Sequence, residues 1–174
     1  MTDLQLFIMQ LFTNPVLLCA VFSWLTAQFI KLFTTPNYRH DRSILQVFFG
    51  SGGMPSSHSA AVCSAAIAAG LHNGFDSPLF AIAGVLAVVV IRDATGIRRE
   101  AGKHAVLLNQ ITEELNKNMT NGKSEEDYAF ETTLRVLLGH TPLQVFFGSI
   151  LGVAMAFICH YWAFPNLFVD HVVI

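Results

Sequence analysis

Residues 72–92 read HNGFDSPLFAIAGVLAVVVIR, a short polar turn followed by a long apolar run. Ser77 and Pro78 are typical of a helix start, because a serine side chain caps free N–H groups and proline fits the first helical position. With its cap, the run approaches the ~20 residues that a membrane-spanning helix needs. Because the turn at 72–76 is so short, we expect the apolar segment before it to run antiparallel. The two segments predict a helical hairpin.

Four segments of this kind predict membrane spans, at about 15–33, 55–71, 77–92 and 141–164. Hydrophobic residues make up 53% of the chain and charged residues 13%. A soluble domain carries about 25% charged residues. A buried helical pair in a soluble bundle is the alternative for residues 55–92, but the first and fourth segments are too apolar for it. We therefore expect an all-α, polytopic membrane helical bundle that forms one domain over residues 1–174.

Residues 98–139 form a hydrophilic insertion between the third and fourth predicted spans. Its first part predicts an amphipathic helix, whose apolar residues at helical spacing are Leu107, Leu108, Ile111 and Leu115. After the Asn121-Gly122 turn, residues 124–138 predict a second amphipathic helix, which makes the insertion a cytoplasmic helical hairpin. The N-terminal LQLFIMQLF, residues 4–12, allows a short helix that lies in the membrane interface.

The lysines and arginines lie on one side of the predicted spans. The first inter-span loop and its approach carry Lys31, Arg39 and Arg42. The long insertion and its approaches carry Arg92, Arg98, Arg99, Lys103, Lys117, Lys123 and Arg135. With four spans, both basic loops face the same side, and the positive-inside rule makes that side cytoplasmic. We expect an integral protein of the inner (cytoplasmic) membrane whose basic face is cytoplasmic.

Residues 50–60 read GSGGMPSSHSA and lead into the second predicted span. Gly53 and its neighbouring glycines allow a tight backbone bend. Pro55 and Ser56 then begin a helix whose unpaired N–H groups and positive dipole end favour an anion. Ser57 offers a hydroxyl, and His58 offers a proton that titrates near neutrality. Taken alone, the segment also fits a plain linker followed by a helix cap.

Further polar groups are expected at the same membrane face. His140 directly precedes the Thr141-Pro142 start of the fourth span. The others are Lys31 at the end of the first span, and Asp93, Arg98 and Arg99 in RDATGIRRE at 92–100. The arginine fork suits phosphate, and an acid near a membrane boundary is costly and often functional. Each residue taken singly also fits an interfacial anchor.

Together these groups indicate phosphoryl transfer at a lipid headgroup. One histidine would attack phosphorus, the other would protonate the leaving oxygen, and the cations would hold charge on the equatorial oxygens. A transporter or channel is less favoured, because the apolar interiors of the spans carry no ionisable residue apart from His58.

Three motifs form a specific combination: GGMPSSHSA at 52–60, DATGIRR at 93–99 and LGHTPLQVFFG at 138–148. With them, the sequence resembles the superfamily of type 2 phosphatidic acid phosphatases and vanadium haloperoxidases. It looks closer still to a divergent branch of small bacterial and plant membrane proteins related to that superfamily. The resemblance covers about residues 14–160.

The resemblance implies a phosphatase that needs no metal or other cofactor. Its substrate would be a membrane lipid phosphate or diphosphate, hydrolysed through a phosphohistidine intermediate. His140 would be the nucleophile and His58 the general acid. The residues implied to bind phosphate are Lys31, Gly53, Ser56, Ser57 and an arginine, either Arg98 or Arg99.

Gln144 stands where the resemblance implies a carboxylate that orients the nucleophilic histidine. An amide can fix the imidazole tautomer but cannot stabilise the imidazolium as a carboxylate does. Asp93 could supply the missing charge if the fold brings it to His140. The alternative function is therefore an impaired or inactive relative that binds anionic phospholipid headgroups or a membrane partner. The sequence leaves a homodimer open, and we expect no nucleic-acid partner.

Overall fold

The computed structural model describes residues 2–34, 53–120 and 141–169. The helices in these ranges are α1 (Asp3–Thr13), α2 (Pro15–Thr34), α3 (Ser57–Asn73), α4 (Pro78–Thr95), α5 (Ile97–Thr120), α6 (Pro142–Ile158) and α7 (Pro165–Val169), with a π-helical turn (Cys159–Ala163) after α6. The same ranges contain no β-strand. The all-α fold predicted from the apolar runs is confirmed.

Three helical segments in the described ranges are long and apolar enough to cross a membrane. They are α2 (Pro15–Thr34), α4 continued into α5 (Pro78–Leu115), and α6 with its π-helical turn (Pro142–Ala163). Helix α3 has 17 residues, slightly fewer than the ~20 of a full span. Its many alanines and serines make it the least apolar of the four segments. The fold is therefore a membrane helical bundle, but the predicted count of four spans is not confirmed.

Polar side chains cap the starts of several helices where the sequence predicts them. Asn14 Oδ1 accepts the N–H of Leu17 at 3.0 Å, and Ser77 Oγ accepts the N–H of Phe80 at 3.2 Å. Each cap satisfies a donor that has no partner inside the helix. Helix α1 begins with a capping box at Thr2, and the large apolar side chains along it are exposed, as an interfacial helix requires.

Helix α3 lies at the centre of the bundle, in contact with α2, α4 and α6. It is antiparallel to α2, because the start of α3 meets the end of α2 and the Ser64 hydroxyl reaches the Cys19 carbonyl at 3.0 Å. The turn at Gly74, whose φ is 90°, leads directly back into α4. This is the predicted hairpin, and it places the end of α4 at the same end of the bundle as the start of α3.

Helices α3 and α6 run parallel and approach each other closely. A Cβ atom on Gly148 would collide with the backbone of Ser56, and one on Gly152 would collide with the carbonyl oxygen of Ala60. Both glycines are buried. Small residues spaced four apart allow helices in a membrane to come into such contact, where van der Waals packing supplies the association energy.

Helix α4 carries its large apolar residues outward. Ile82, Val85 and Val88 are each about two-thirds exposed, at 66%, 66% and 67%. Such a surface is costly in water but is satisfied by lipid. Gly96 separates α4 from α5, whose Leu107, Leu108, Ile111 and Leu115 are also exposed. The second helix predicted for the insertion, at 124–138, lies outside the described residues, so the hairpin at 98–139 stays a prediction.

The far end of the bundle has its own small core. Cys19 of α2, Ala68 of α3, and Ala156 and Cys159 at the end of α6 pack together with Phe168 of α7. The three cysteines are free thiols, with Cys19 and Cys159 buried and Cys63 half-buried. Buried free cysteines of this kind pack as small hydrophobic residues.

We expect Gly152→Ala to destabilise the protein and Gly84→Ala to leave it unchanged or slightly more stable. Alanine favours a helix over glycine by about 1 kcal/mol, but at 152 its methyl group meets backbone. Overpacking of this kind costs about 1–3 kcal/mol. Gly84 in α4 has no atom within 4 Å of the position that an alanine methyl group would take and is the matched control. Thermal unfolding in detergent measures both, and equal melting temperatures would contradict the close contact.

Candidate functional site

Lys31 is a buried cation at the end of α2. Cys19, Ser23, Ala27 and Lys31 follow one another at intervals of four residues and form the buried face of this helix. Only 1% of Lys31 is exposed. Its Nζ donates a hydrogen bond to the Ser57 hydroxyl at 3.0 Å. Two of the residues implied to bind phosphate are therefore in direct contact, while their binding of phosphate stays a prediction.

The Lys31 ammonium lacks a counter-charge among the residues that the structure describes. No carboxylate there pairs with it, and its hydrogen-bond partner is neutral. Burying a charge without an opposite charge is costly. An anion placed beside Lys31 and Ser57 would offset that cost.

Ser56 connects the starts of α3 and α6. Its backbone N–H donates to the Gln144 carbonyl oxygen at 2.9 Å. Its hydroxyl caps α3 by accepting the N–H of Ser59, and it also accepts the Ser59 hydroxyl at 3.0 Å. Because α3 and α6 are parallel, both helices present their N-terminal ends here. The partial positive charges of two helix starts thus add to that of Lys31.

The turn before α3 is held against the end of α2. Gly53 has a φ of 80°, a left-handed conformation that residues with a side chain rarely adopt. This confirms the tight bend expected there. The Thr34 hydroxyl donates to the Met54 carbonyl oxygen, which fixes the turn to α2.

His58 is the second residue of α3, and its side chain is exposed at the end of the bundle that carries Lys31 and Ser57. Asp93 lies near the end of α4 and is half-buried. The antiparallel hairpin places it at this same end. His140 lies just before α6 but outside the described residues. Its contact with Asp93 or with Gln144 stays a prediction.

Gln144 takes part in a capping box at the start of α6. Its Oε1 accepts the Thr141 N–H at 3.0 Å, and the Thr141 hydroxyl accepts the Gln144 N–H at 3.4 Å. Glutamate serves as well as glutamine at this position of a capping box. The side chain therefore has a structural task that a carboxylate could also perform.

The two predicted phosphate-binding arginines lie in the first turn of α5. Arg99 is half-buried there, and its backbone N–H donates to the Gly96 carbonyl oxygen at 3.0 Å. The side chain of Arg98 lies outside the described part. In the described part of the chain, no three His, Cys, Asp or Glu side chains cluster as metal ligands would.

Several residues that build the site were not singled out from the sequence. Ser59 supplies a second hydroxyl to Ser56, Thr34 holds the turn, and Gly152 allows the close approach of α6. Gly148 ends the third motif, but its part in that close approach was not predicted. The glycines carried a readable signal, because their spacing of four is typical of close helix contacts. Nothing comparable marks Thr34 or Ser59.

The sequence pattern of the Divergent PAP2 family matches residues 12–155. The chain belongs to this family. The resemblance found through the three motifs is thus confirmed at the level of the family. The match includes α2, α3, α4, most of α6 and all of the residues placed at the site.

A curated relative supports the Divergent PAP2 assignment. The chain is 36% identical over 159 residues to YuiD of Bacillus subtilis (strain 168), described as an uncharacterized membrane protein. The alignment covers 88% of this chain and 99% of the relative. No solved structure matches the chain. Together with the apolar helices, this relative identifies the chain as an integral membrane protein.

We expect Ser57→Ala to cost about 1–3 kcal/mol of stability, because it leaves the buried Lys31 ammonium without its hydrogen-bond partner. The double variant Lys31→Met/Ser57→Ala should recover most of that loss, since methionine removes the buried charge. Ser64→Ala is the control, because the Ser64 hydroxyl donates to the Cys19 carbonyl oxygen and not to Lys31. The stability that Ser64→Ala costs should therefore be the same with and without Lys31→Met. Unfolding in detergent measures this cycle, and strict additivity of the Lys31 and Ser57 changes would contradict their coupling.

Proposed function

We propose that this protein is an integral membrane phosphatase that hydrolyses a lipid phosphate or diphosphate through a phosphohistidine intermediate, without a metal. The buried contact between Lys31 and Ser57, at the joint start of α3 and α6, is the observation that carries the proposal. A phosphate group there would meet an ammonium, a hydroxyl and two helix N-termini, which are groups that stabilise an oxyanion.

In the proposed first step, a nitrogen of His140 attacks phosphorus and the bond from phosphorus to the lipid oxygen breaks. His58 gives its proton to that leaving oxygen, which departs as an alcohol or, from a diphosphate, as the lipid monophosphate. Lys31, Ser57 and Arg98 or Arg99 hold the negative charge on the equatorial oxygens.

In the second step, water attacks the phosphohistidine. His58, now neutral, accepts a proton from that water as the bond between nitrogen and phosphorus breaks and inorganic phosphate leaves. The exposed position of His58 supports this role, because the leaving group and water must both reach it. Asp93 is the carboxylate proposed to stabilise the His140 imidazolium.

A non-catalytic lipid-binding protein is the second candidate. Gln144 favours it, because an amide beside the nucleophilic histidine would not stabilise the imidazolium. In this case the same cationic groups would hold an anionic phospholipid headgroup without turnover, and binding would weaken as salt rises.

The site is proposed to face the cytoplasm in the inner membrane, because the sequence predicts its basic residues in loops on one side of the spans, the side where Lys31 lies. Sealed vesicles of both orientations test this placement. Externally added water-soluble phosphate ester should be hydrolysed only by inside-out vesicles, and hydrolysis confined to right-side-out vesicles would reverse the orientation.

We expect the purified protein to release phosphate from phosphatidic acid, phosphatidylglycerophosphate or a polyprenyl diphosphate in the presence of EDTA. His140→Ala should abolish release, and His58→Ala should slow it about 10²- to 10⁴-fold, as loss of a general acid does. His104→Ala is the matched control, since His104 is an exposed histidine on α5. If no substrate is hydrolysed, or if His140→Ala retains the wild-type rate, the protein is not this phosphatase.

Gln144→Glu should raise hydrolysis, by about 10- to 10⁴-fold if the amide limits catalysis as it does in a Ser-His-Asp triad. Because glutamate keeps the capping box, the start of α6 should remain intact. Gln110→Glu introduces the same charge on an exposed part of α5 and should have no effect. A gain from an inactive wild type would identify an impaired enzyme, whereas an unchanged rate would show that Gln144 does not limit the reaction.

A further inference from the structure

An apolar groove of about 350 Å³ lies beside the Lys31–Ser57 contact, between the end of α2, the turn before α3 and the outer surface of α6. Its volume falls within the range of about 300–1,000 Å³ that is typical of small-molecule sites. The residues that line it are Ile30, Thr34, Met54, Pro55, Phe147 and Ile150, with Leu151 and Ala154.

The residues that line the groove are direct neighbours of the phosphate site. Ile30 directly precedes Lys31 in α2, and Pro55 directly precedes Ser56. Phe147 is next to Gly148, which packs on Ser56. One molecule could therefore place a polar group at Lys31 and an attached chain in the groove.

The described residues that line the groove are apolar with one exception. Thr34 is the one polar residue among them. The Thr34 hydroxyl lies within hydrogen-bond reach of the carbonyl oxygens of Met54 and Ile30, so its one proton is already directed at the backbone. A site lined in this way favours an apolar occupant.

The groove faces the membrane. Phe147 and Ile150 are 44% and 50% exposed, and both lie in α6, one of the helices long and apolar enough to span the bilayer. Their exposed surfaces therefore contact hydrocarbon, and a lipid chain could enter the groove sideways without crossing water.

We propose that this groove binds one acyl or prenyl chain of the lipid whose phosphate occupies the Lys31–Ser57 site. The proposal rests on the phosphate site described under the proposed function. It assigns recognition of the substrate to two adjoining surfaces, a cationic one for the headgroup and an apolar one for the chain.

The groove acts mainly by positioning. A lipid chain that leaves the bilayer for the groove exchanges one apolar environment for another, so it gains packing contacts but little hydrophobic free energy. Holding the chain along α6 fixes the direction from which the phosphate reaches Lys31, which favours a productive geometry. Substrates without a chain lose this advantage.

The test uses the full-length protein in nanodiscs with a phosphatidic acid that carries a photoactivatable diazirine in one acyl chain. After irradiation, mass spectrometry should find the label on Phe147, Ile150 or Leu151, above the level on the lipid-facing Val85 and Val88 of α4. Ala154→Trp fills the groove and should remove the groove labelling. Ala81→Trp, the same change on an exposed position of α4, should leave it intact.

The outcomes separate the groove from the catalytic proposal. Equal labelling of α4 and α6, or cross-links between two copies of the chain in place of lipid adducts, would overturn the groove even if phosphate is released. Groove labelling without phosphate release would support the lipid site while the phosphatase fails. If Ala154→Trp does not fold, the comparison of α6 and α4 labelling in the wild-type protein tests the groove by itself. If the variant folds, hydrolysis of chain-free p-nitrophenyl phosphate checks that it keeps its phosphate site.

Discussion

Helices α3 and α6 pack so closely that the α6 residues at the contact can carry no side chain. The rest of the bundle is arranged around this contact. Gly148 and Gly152 have no room for a Cβ atom. The approach lets the Ser56 N–H reach the Gln144 carbonyl oxygen, so two parallel helices begin side by side. If α6 were displaced by the width of a methyl group, the two N-terminal ends would separate and their positive fields would no longer act on one point.

The buried Lys31 depends on that arrangement. A lysine near the end of a membrane helix normally extends to the interface, where its ammonium stays hydrated. Here the ammonium bonds Ser57 inside the bundle. A buried charge destabilises the fold. Because this one lies beside two helix starts, the same charge would strengthen the binding of an anion. Stability and binding thus oppose each other at this residue.

The sequence was sufficient for the apolar runs, the helix starts and the family, because each is written in local composition and short motifs. Through resemblance to a known family it also named Lys31 and Ser57 among the residues expected to bind phosphate, and the structure places these two in contact. It did not reveal that Gln144 closes a capping box, or that Thr34 holds the turn before α3. The capping box is a local contact between residues three apart, and its Thr-x-x-Gln pattern could have been read from the sequence. The Thr34 contact instead depends on how α2 meets a turn twenty residues further along the chain, which local patterns do not encode. For His140 the sequence prediction stands alone, since the residue lies outside the described part.

The central position of α3 has a consequence for how the protein is made. Helix α3 is the least apolar of the four segments and is covered on separate sides by α2, α4 and α6. The ribosome synthesises α6 only after α4 and α5. Until then, the side of α3 that packs on α6 has no partner in the membrane, including its serine-rich start. A chain cut short before Pro142 would expose Ser56 and the side of α3 that α6 normally covers to lipid, which is a mark by which quality-control proteases could recognise unfinished copies.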